Sequence, residues 1–241
     1  MNDFEKELID VCSMNEMTKG LIPENKAHLF SELYLFMKEY NNAVNITSIT
    51  EQSEVILKHI IDSVVINKYI KDNDTICDIG CGGGFPSIPN AILRENVKFL
   101  CDDSVTKKTI YVKKCSEHLG LSNIEVTNKR AEELGNDPSH RERYDIVTAR
   151  GVGKLNLICE LCIPLVKVGG MFIAMKSANF EEELNEASGA IETLGAEYSF
   201  KTYSLKNSNE EISRSLIIIR KTKHTPSIYP RTFSQISKKP L

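Results

Sequence analysis

The run Asp78-Ile79-Gly80-Cys81-Gly82-Gly83-Gly84-Phe85-Pro86 holds the densest set of groups in this chain able to bind a charged small molecule. Gly80, Gly82 and Gly84 free the backbone to take positive φ and keep no side chain between it and a ligand. An apolar run opening at Thr75-Ile76-Cys77 comes before the turn, and an apolar periodic segment follows it. That order reads as strand, turn and helix start. Helix N-termini carry unpaired N–H groups and a partial positive charge, so such turns cradle nucleotide-like ligands. The dinucleotide fingerprint needs glycine at its first, third and sixth positions. Counted from Gly80, the sixth position is Phe85, and the pattern fails there. The next apolar segment ends in Asp102-Asp103-Ser104, with Asp103 lying 19 residues past Gly84. A carboxylate roughly 20 residues beyond the glycines, at the end of the second strand, takes ribose hydroxyls in nucleotide-binding α/β folds. The same three residues are good helix caps, and both roles fit a position on the ligand edge of a sheet.

These groups need a sheet to hold them. Apolar patterning predicts strands near 75–79, 97–102, 123–127, 143–148 and 170–175. Helical periodicity falls between them, near 86–94, 105–119, 130–134, 153–163 and 179–194. Strict alternation of this kind is the mark of a parallel, doubly wound α/β sheet. Two further apolar runs, 197–205 and 214–220, flank Asn207-Ser208-Asn209 and read as a hairpin at the sheet edge, making seven strands. The first 70 residues are helical in pattern, with Leu29, Leu33, Phe36, Met37 and Tyr40 forming one stripe. Lys71-Asp72-Asn73-Asp74 is a short polar break. The expected division is a helical region at 1–72, a core at 73–220 and a basic tail at 221–241.

Composition limits the possible partners. At 241 residues the chain can bury one large core. No apolar run approaches the roughly 18 residues of a membrane span, and the acidic, amphipathic start MNDFEKELID is no signal peptide. A cytoplasmic location without membrane contact is the expectation. The seven cysteines lie scattered in apolar patterns, as expected of small buried residues in a reducing compartment. Cys159 and Cys162 form one CxxC, with no second pair or nearby histidine to complete a zinc site, so no metal is expected. The net charge of −3 hides a basic end: residues 220–241 carry Arg220, Lys221, Lys223, Arg231, Lys238 and Lys239 and no acidic side chain. Such a tail on an acidic body suits a polyanion such as RNA, or a solvated terminus.

An acidic residue two positions before Gly-x-Gly-x-Gly resembles the first motif of S-adenosylmethionine (SAM) methyltransferases. Taken along its length, the chain resembles the bacterial RsmG (GidB) family. Tyr40-Asn41, Asn45-Ile46-Thr47 and His59-Ile60-Ile61-Asp62-Ser63 match elements near the family's N-terminus. DIGCGGGFPSIP at 78–89, Asp103-Ser104 with Lys107-Lys108, and Arg130-Ala131-Glu132-Glu133 follow in the family's order. Tyr144-Asp145 to Thr148-Ala149-Arg150, Gly169-Gly170 to Ala174-Met175-Lys176, and the tail Tyr229-Pro230-Arg231 with Lys238-Lys239-Pro240-Leu241 complete the match. The chain departs from the family at Tyr40 in place of tryptophan, at Ser87 and Ser177 where glycine is usual or common, and at Gly151 in place of alanine. None of these departures removes a charged or glycine-turn position.

The resemblance implies a Rossmann-like class I fold with an N-terminal helical subdomain. It implies a monomer that transfers the methyl of SAM to N7 of a guanine, position 527, in 16S ribosomal RNA, free or within the small subunit. It places the cofactor at Asp78, Gly80, Gly82, Gly84, Phe85, Asp103, Ser104, Ala131, Glu132 and Arg150. Arg150 is expected to touch the methionine end of SAM or an RNA phosphate, or else to pair with a core carboxylate. Lys176 is a further positioning candidate. Guanine N7 has a free lone pair and no proton to lose, so no general base is expected. His59 and Asp62, three apart on a helix, are expected to form a hydrogen-bonded pair that packs the helical region onto the sheet. Removing the tail is expected to weaken RNA binding and spare the cofactor. The rival reading is a non-catalytic RNA-binding or ribosome assembly factor that has kept a SAM pocket.

Overall fold

A computed structural model describes all residues, Met1 to Leu241. Seven strands form one sheet: β1 (Thr75–Ile79), β2 (Lys98–Asp102), β3 (Ile124–Thr127), β4 (Tyr144–Arg150), β5 (Val166–Ser177), β6 (Ala196–Lys206) and β7 (Glu211–Lys221). Their order is β3-β2-β1-β4-β5-β7-β6. The five strands from β3 to β5 are parallel, whereas β7 runs antiparallel between β5 and β6. This is the expected α/β architecture, and the hairpin of β6 and β7 closes one edge.

Both faces of the parallel strands are covered, so every residue from Ile76 to Ile79 is buried. Side chains alternate between two layers. Ile76, Phe99, Ile146, Ile173 and Leu216 pack against the N-terminal helices and the helices Ser87–Leu93 and Thr106–His118. Cys77, Leu100, Val147, Phe172 and Ile217 face the helices Leu155–Cys162, Glu181–Thr193 and Phe233–Lys238. The N-terminal helices Asp3–Met14 and Ala27–Asn41 share the first of these cores with the sheet. Asn15 adds a polar tie, exchanging two hydrogen bonds with the backbone of Lys206 on β6.

The helical run at 52–69 is irregular. It is π-helical over Val55–Ile61 and tightens into a 3-10 turn over Val65–Tyr69. Such widened turns re-aim side chains and concentrate at functional sites. Lys58 and His59 lie in the widened stretch, and Asp62 follows it.

The end of the chain docks on the body. Lys221 is the last residue of β7; it is buried, with its ammonium 2.8 Å from Glu142. Arg231 reaches the fully buried carboxylate of Glu160 at 2.6 Å, and its own backbone N–H donates to the same group at 2.8 Å. Ile236 is wholly buried. Two of the six cations between Arg220 and Leu241 are thus committed to internal ion pairs.

Candidate cofactor and substrate site

Strand order reverses beside β1, and ligands of doubly wound sheets bind at that crevice, at the carboxyl ends of the strands. The ends that meet there are Ile79, Asp102 and Arg150. The glycine turn leaves β1 with φ of +68° at Gly80, +55° at Gly82 and +82° at Gly84. A Cβ on Gly80 would lie 2.6 Å from Val152, and one on Gly84 would lie 2.3 Å from Ile88. A side chain at either position would be strained by the positive φ and would have to displace its neighbour. The turn is tied to the end of β2 and to the residue that follows it: Cys81 N–H donates to the Asp102 carbonyl, and Gly82 N–H donates to Asp103 Oδ2, each at 3.0 Å.

Two cavities flank the segment Gly151–Val152. The first, about 210 Å³, is lined by Gly80, Asp103, Ser104, Ala131 and Glu132, with Phe233 from the C-terminal helix. Five of the sequence-predicted cofactor residues therefore meet in one place. Asp103 accepts the Gly82 and Val105 N–H groups there, and Lys108 lies 3.8 Å away. Asp102 shares the cavity, and burial raises its carboxyl to about 7, with the Lys129 N–H opposing the shift and the neighbouring charge of Asp103 adding to it.

Asp78, Gly82, Gly84, Phe85 and Arg150 do not line this cavity. Asp78 lies beneath the turn, accepting the Ser87 hydroxyl at 2.8 Å and that of Thr148 at 3.1 Å. Burial raises its carboxyl to about 6 against those bonds and the charge of Arg150. Its contacts support the turn and do not reach the first cavity. Phe85 turns the other way and stacks on His59, with ring centres 4.6 Å apart.

The second cavity, about 440 Å³, holds Arg150 together with His59, Asp62, Lys176, Glu183 and Arg214. Its cations are paired. Asp62 Oδ2 lies 3.4 Å from both Arg150 and Arg214, and Tyr203 donates its hydroxyl to Oδ1 at 3.2 Å. Lys176 meets Glu183 at 2.6 Å and donates to the Gly153 carbonyl at 2.7 Å. The guanidinium of Arg150 also lies 5.6 Å from the Phe85 ring centre.

The expected bond between His59 and Asp62 is replaced by two separate sets of partners. His59 Nε2 pairs with the Thr47 hydroxyl at 2.9 Å, and Asp62 takes the two arginines and Tyr203. The wide turn of the helix aims the two side chains apart. Burial, reinforced by the charge of Arg150, lowers the His59 imidazole to about 3, so it is neutral at physiological pH. Asp62 nonetheless joins the helical layer to the sheet, and Arg150 has the carboxylate partner foreseen as one of its roles. Sequence reasoning misses Arg214, Tyr203 and Phe233; Arg214 sits between Ser213 and Ser215, ahead of the apolar run Leu216–Ile219 of β7, where no spacing marks it.

In the tail, Phe233 forms part of the first cavity wall. Cys159 and Cys162 are buried, and burial pushes both thiols far up. No group of three or more His, Cys, Asp or Glu side chains gathers where a metal could sit. No helix is long and apolar enough to cross a membrane.

Comparison with known proteins extends this picture. The GidB family, described as rRNA small subunit methyltransferase G, matches residues 26–215. A Bacillus subtilis (strain 168) protein named Ribosomal RNA small subunit methyltransferase G is 41% identical over 237 residues, 95% of this chain and 99% of that one. A Lactobacillus acidophilus protein of the same name is 40% identical over 225 residues, covering 91% and 93%. Among solved structures, a Bacillus cereus O-methyltransferase in complex with SAH superposes with a TM-score of 0.57 at 14% identity, covering 79% of this chain and 91% of that one. A Geobacter metallireducens precorrin-6y C5,15-methyltransferase gives 0.52 at 18% identity, covering 72% and 90%. These two show a shared fold.

Proposed function

This chain belongs to the GidB family, the rRNA small subunit methyltransferase G enzymes, and from that premise we propose that it methylates N7 of guanine 527 in 16S ribosomal RNA, using SAM. The observation that carries the reading is the pair of cavities lined by consecutive residues, Gly151 in one and Val152 in the other. One offers the groups a nucleoside needs, and the other is rich in paired cations.

The first cavity fits SAM by its donor set and by its cradle. Gly80 gives the close approach that a Cβ would fill. Asp103 supplies carboxylate oxygens for the ribose, since a carboxylate has about four acceptor sites and only two N–H groups are hydrogen-bonded to it here. Ala131 and Glu132, at the start of the helix Ala131–Asn136, would border the adenine opposite Ile79 and Val152. When bound, SAM supplies a methyl group on a sulfonium centre.

The protein's own task is alignment and electrostatics. Gly151 and the end of β4 would bring the base from the second cavity up to the methyl group. Arg150, Lys176 and Arg214 suit the guanine O6 and flanking phosphates. A positive charge passes to the base during transfer. Asp62 and Glu183 offset the surrounding cations, so that charge would arrive in a balanced site. Neutral His59, stacked on Phe85, shapes the wall and takes no proton. The enzyme is read as a cytoplasmic monomer.

The rival assembly factor would share both cavities and lack turnover. Incubation with labelled SAM and undermethylated small subunits tests the difference. Label in the RNA supports the enzyme, and binding of both without transfer supports the rival.

A further inference from the structure

The helix Thr106–His118 starts just beyond Asp103 and Ser104, at the rim of the first cavity, and runs away from it. Lys107, Lys113 and Lys114 are exposed on it, as is Ile110, at 45%. Spacings of three, four and seven set these side chains on one face, and Lys107 and Lys114 are about 10 Å apart along the axis. The ion pairs of this helix involve Lys108, which faces Asp103, and His118, which faces Glu32. Its four lysines stand against one acidic residue, Glu117. The three outward lysines therefore form a cationic stripe that the protein does not neutralise.

An aromatic surface adjoins the stripe. Tyr40, half-buried at the end of the helix Ala27–Asn41, has its ring centre 5.7 Å from the Lys114 ammonium and 5.2 Å from Tyr111. Phe36 stacks on Tyr40 at 5.9 Å. From Tyr40 the chain leads directly to the second cavity. Asn41 accepts the N–H groups of Ile46 and Thr47, and the Thr47 hydroxyl bonds His59 in the cavity wall. A Cβ on Gly83 would meet Ile46 at 3.0 Å, so the same loop closes over the glycine turn. The stripe begins at one cavity, and the aromatic surface leads to the other.

We infer that this face is the track for a single-stranded stretch of ribosomal RNA flanking the target guanine. Lys107, Lys113 and Lys114 meet its phosphates, and Tyr40 stacks against one of its bases. Unpaired cations interleaved with aromatic rings are how proteins hold single strands, and a polyanion is the partner whose charge complements the stripe. The inference rests on the methyltransferase reading and adds to it the surface on which the substrate strand lies.

The chain contains no tryptophan, so Tyr40→Trp introduces a lone indole fluorophore. With undermethylated 16S ribosomal RNA as the probe, its emission changes on binding, and adding Lys107→Gln, Lys113→Gln and Lys114→Gln abolishes the change at moderate salt. In the otherwise unaltered chain the triple lysine variant raises the RNA KM about tenfold or more. It also lowers the slope of log affinity against log salt by about 2, at roughly 0.7 per phosphate contact on single strands. Its SAM affinity and unfolding midpoint stay at the parent values. A triple variant with parental KM and salt slope, or an indole signal from Tyr40→Trp that saturating RNA leaves unchanged, overturns the track. If such a protein still methylates the RNA, the methyltransferase reading stands alone. RNA-dependent quenching that the triple variant loses, without methyl transfer by the parent, keeps the track and removes that reading.

Discussion

Asp62 and Arg150 meet at 3.4 Å, bringing a carboxylate of the N-terminal helical layer to the ligand end of β4. The same carboxylate oxygen faces Arg214 of β7 at 3.4 Å. One anion thus fixes two cations from different strands in the wall of one cavity.

Replacing Asp62 with Asn removes the charge and keeps the shape. The Asp62 side chain is 5% exposed, and those of Arg150 and Arg214 are 17% and 26% exposed. Breaking a fully buried pair costs about 3–5 kcal/mol, so in this partly wet site about 2 kcal/mol of stability is expected to go. Methyl transfer should fall by far more than the affinity for SAM, because Asp62 lines the second cavity and not the first. Denaturant melts and SAM titration of the same preparation check both halves. Equal loss of SAM binding and transfer would deny the separation of the two cavities.

The glycines of the turn separate strain from close approach. Gly82→Ala incurs only the positive φ, since no neighbour lies nearer than 3.9 Å to its Cβ position. About 1 kcal/mol of stability is the expected cost. Gly80→Ala adds a 2.6 Å encounter with Val152 on the cofactor side, and should weaken SAM binding at least tenfold relative to Gly82→Ala. Calorimetric titration of the two variants decides this, and matching affinities would count against the cradle.

The Asp102 carboxyl lies at about 7 in the folded protein, against an ordinary value of 3.8. Between those pH values the folded state holds a proton that the unfolded chain has released, so stability falls as pH rises and levels off above about 7. Asp102→Asn removes this dependence and keeps an oxygen for the Lys129 N–H. Asp78 titrates through part of the same window in both proteins, so the informative quantity is the difference between them. Variant and parent should melt alike near pH 4, and the variant should gain steadily toward pH 8, by on the order of a few kcal/mol. Parallel curves would show that Asp102 is ionised throughout.

Arg231→Ala strands the buried carboxylate of Glu160, whose side chain is 0% exposed. About 3 kcal/mol is the expected loss. Because Phe233 forms part of the cofactor cavity, truncation after Lys221 should lower stability and SAM affinity together. An intact SAM affinity in the truncated protein would return the tail to the role of a detachable RNA arm.

The sheet could be read from the sequence because strand and helix periods alternate cleanly from Thr75 onward. The groups around the first cavity could also be read, since Gly80, Asp103, Ser104, Ala131 and Glu132 follow strand ends or open helices. Asp62, Arg150, Tyr203 and Arg214 are joined only by the packing of the helical layer on β4, β6 and β7. No local spacing encodes such a meeting. Charge alone marks the tail in the sequence, whereas its position is set by Glu160, a lone carboxylate in the apolar run LNLICELC that needs a cation brought from far along the chain.

Mapping the methyl group is the most direct test of the account. Undermethylated small subunits are incubated with the protein and labelled SAM, and the RNA is then cleaved by reduction and aniline, which break the strand at N7-methylguanine. One labelled nucleotide is predicted, guanine 527 of 16S ribosomal RNA, giving one cleavage there. Label at another atom or another nucleotide, or no transfer from a protein that binds both SAM and RNA, would contradict it.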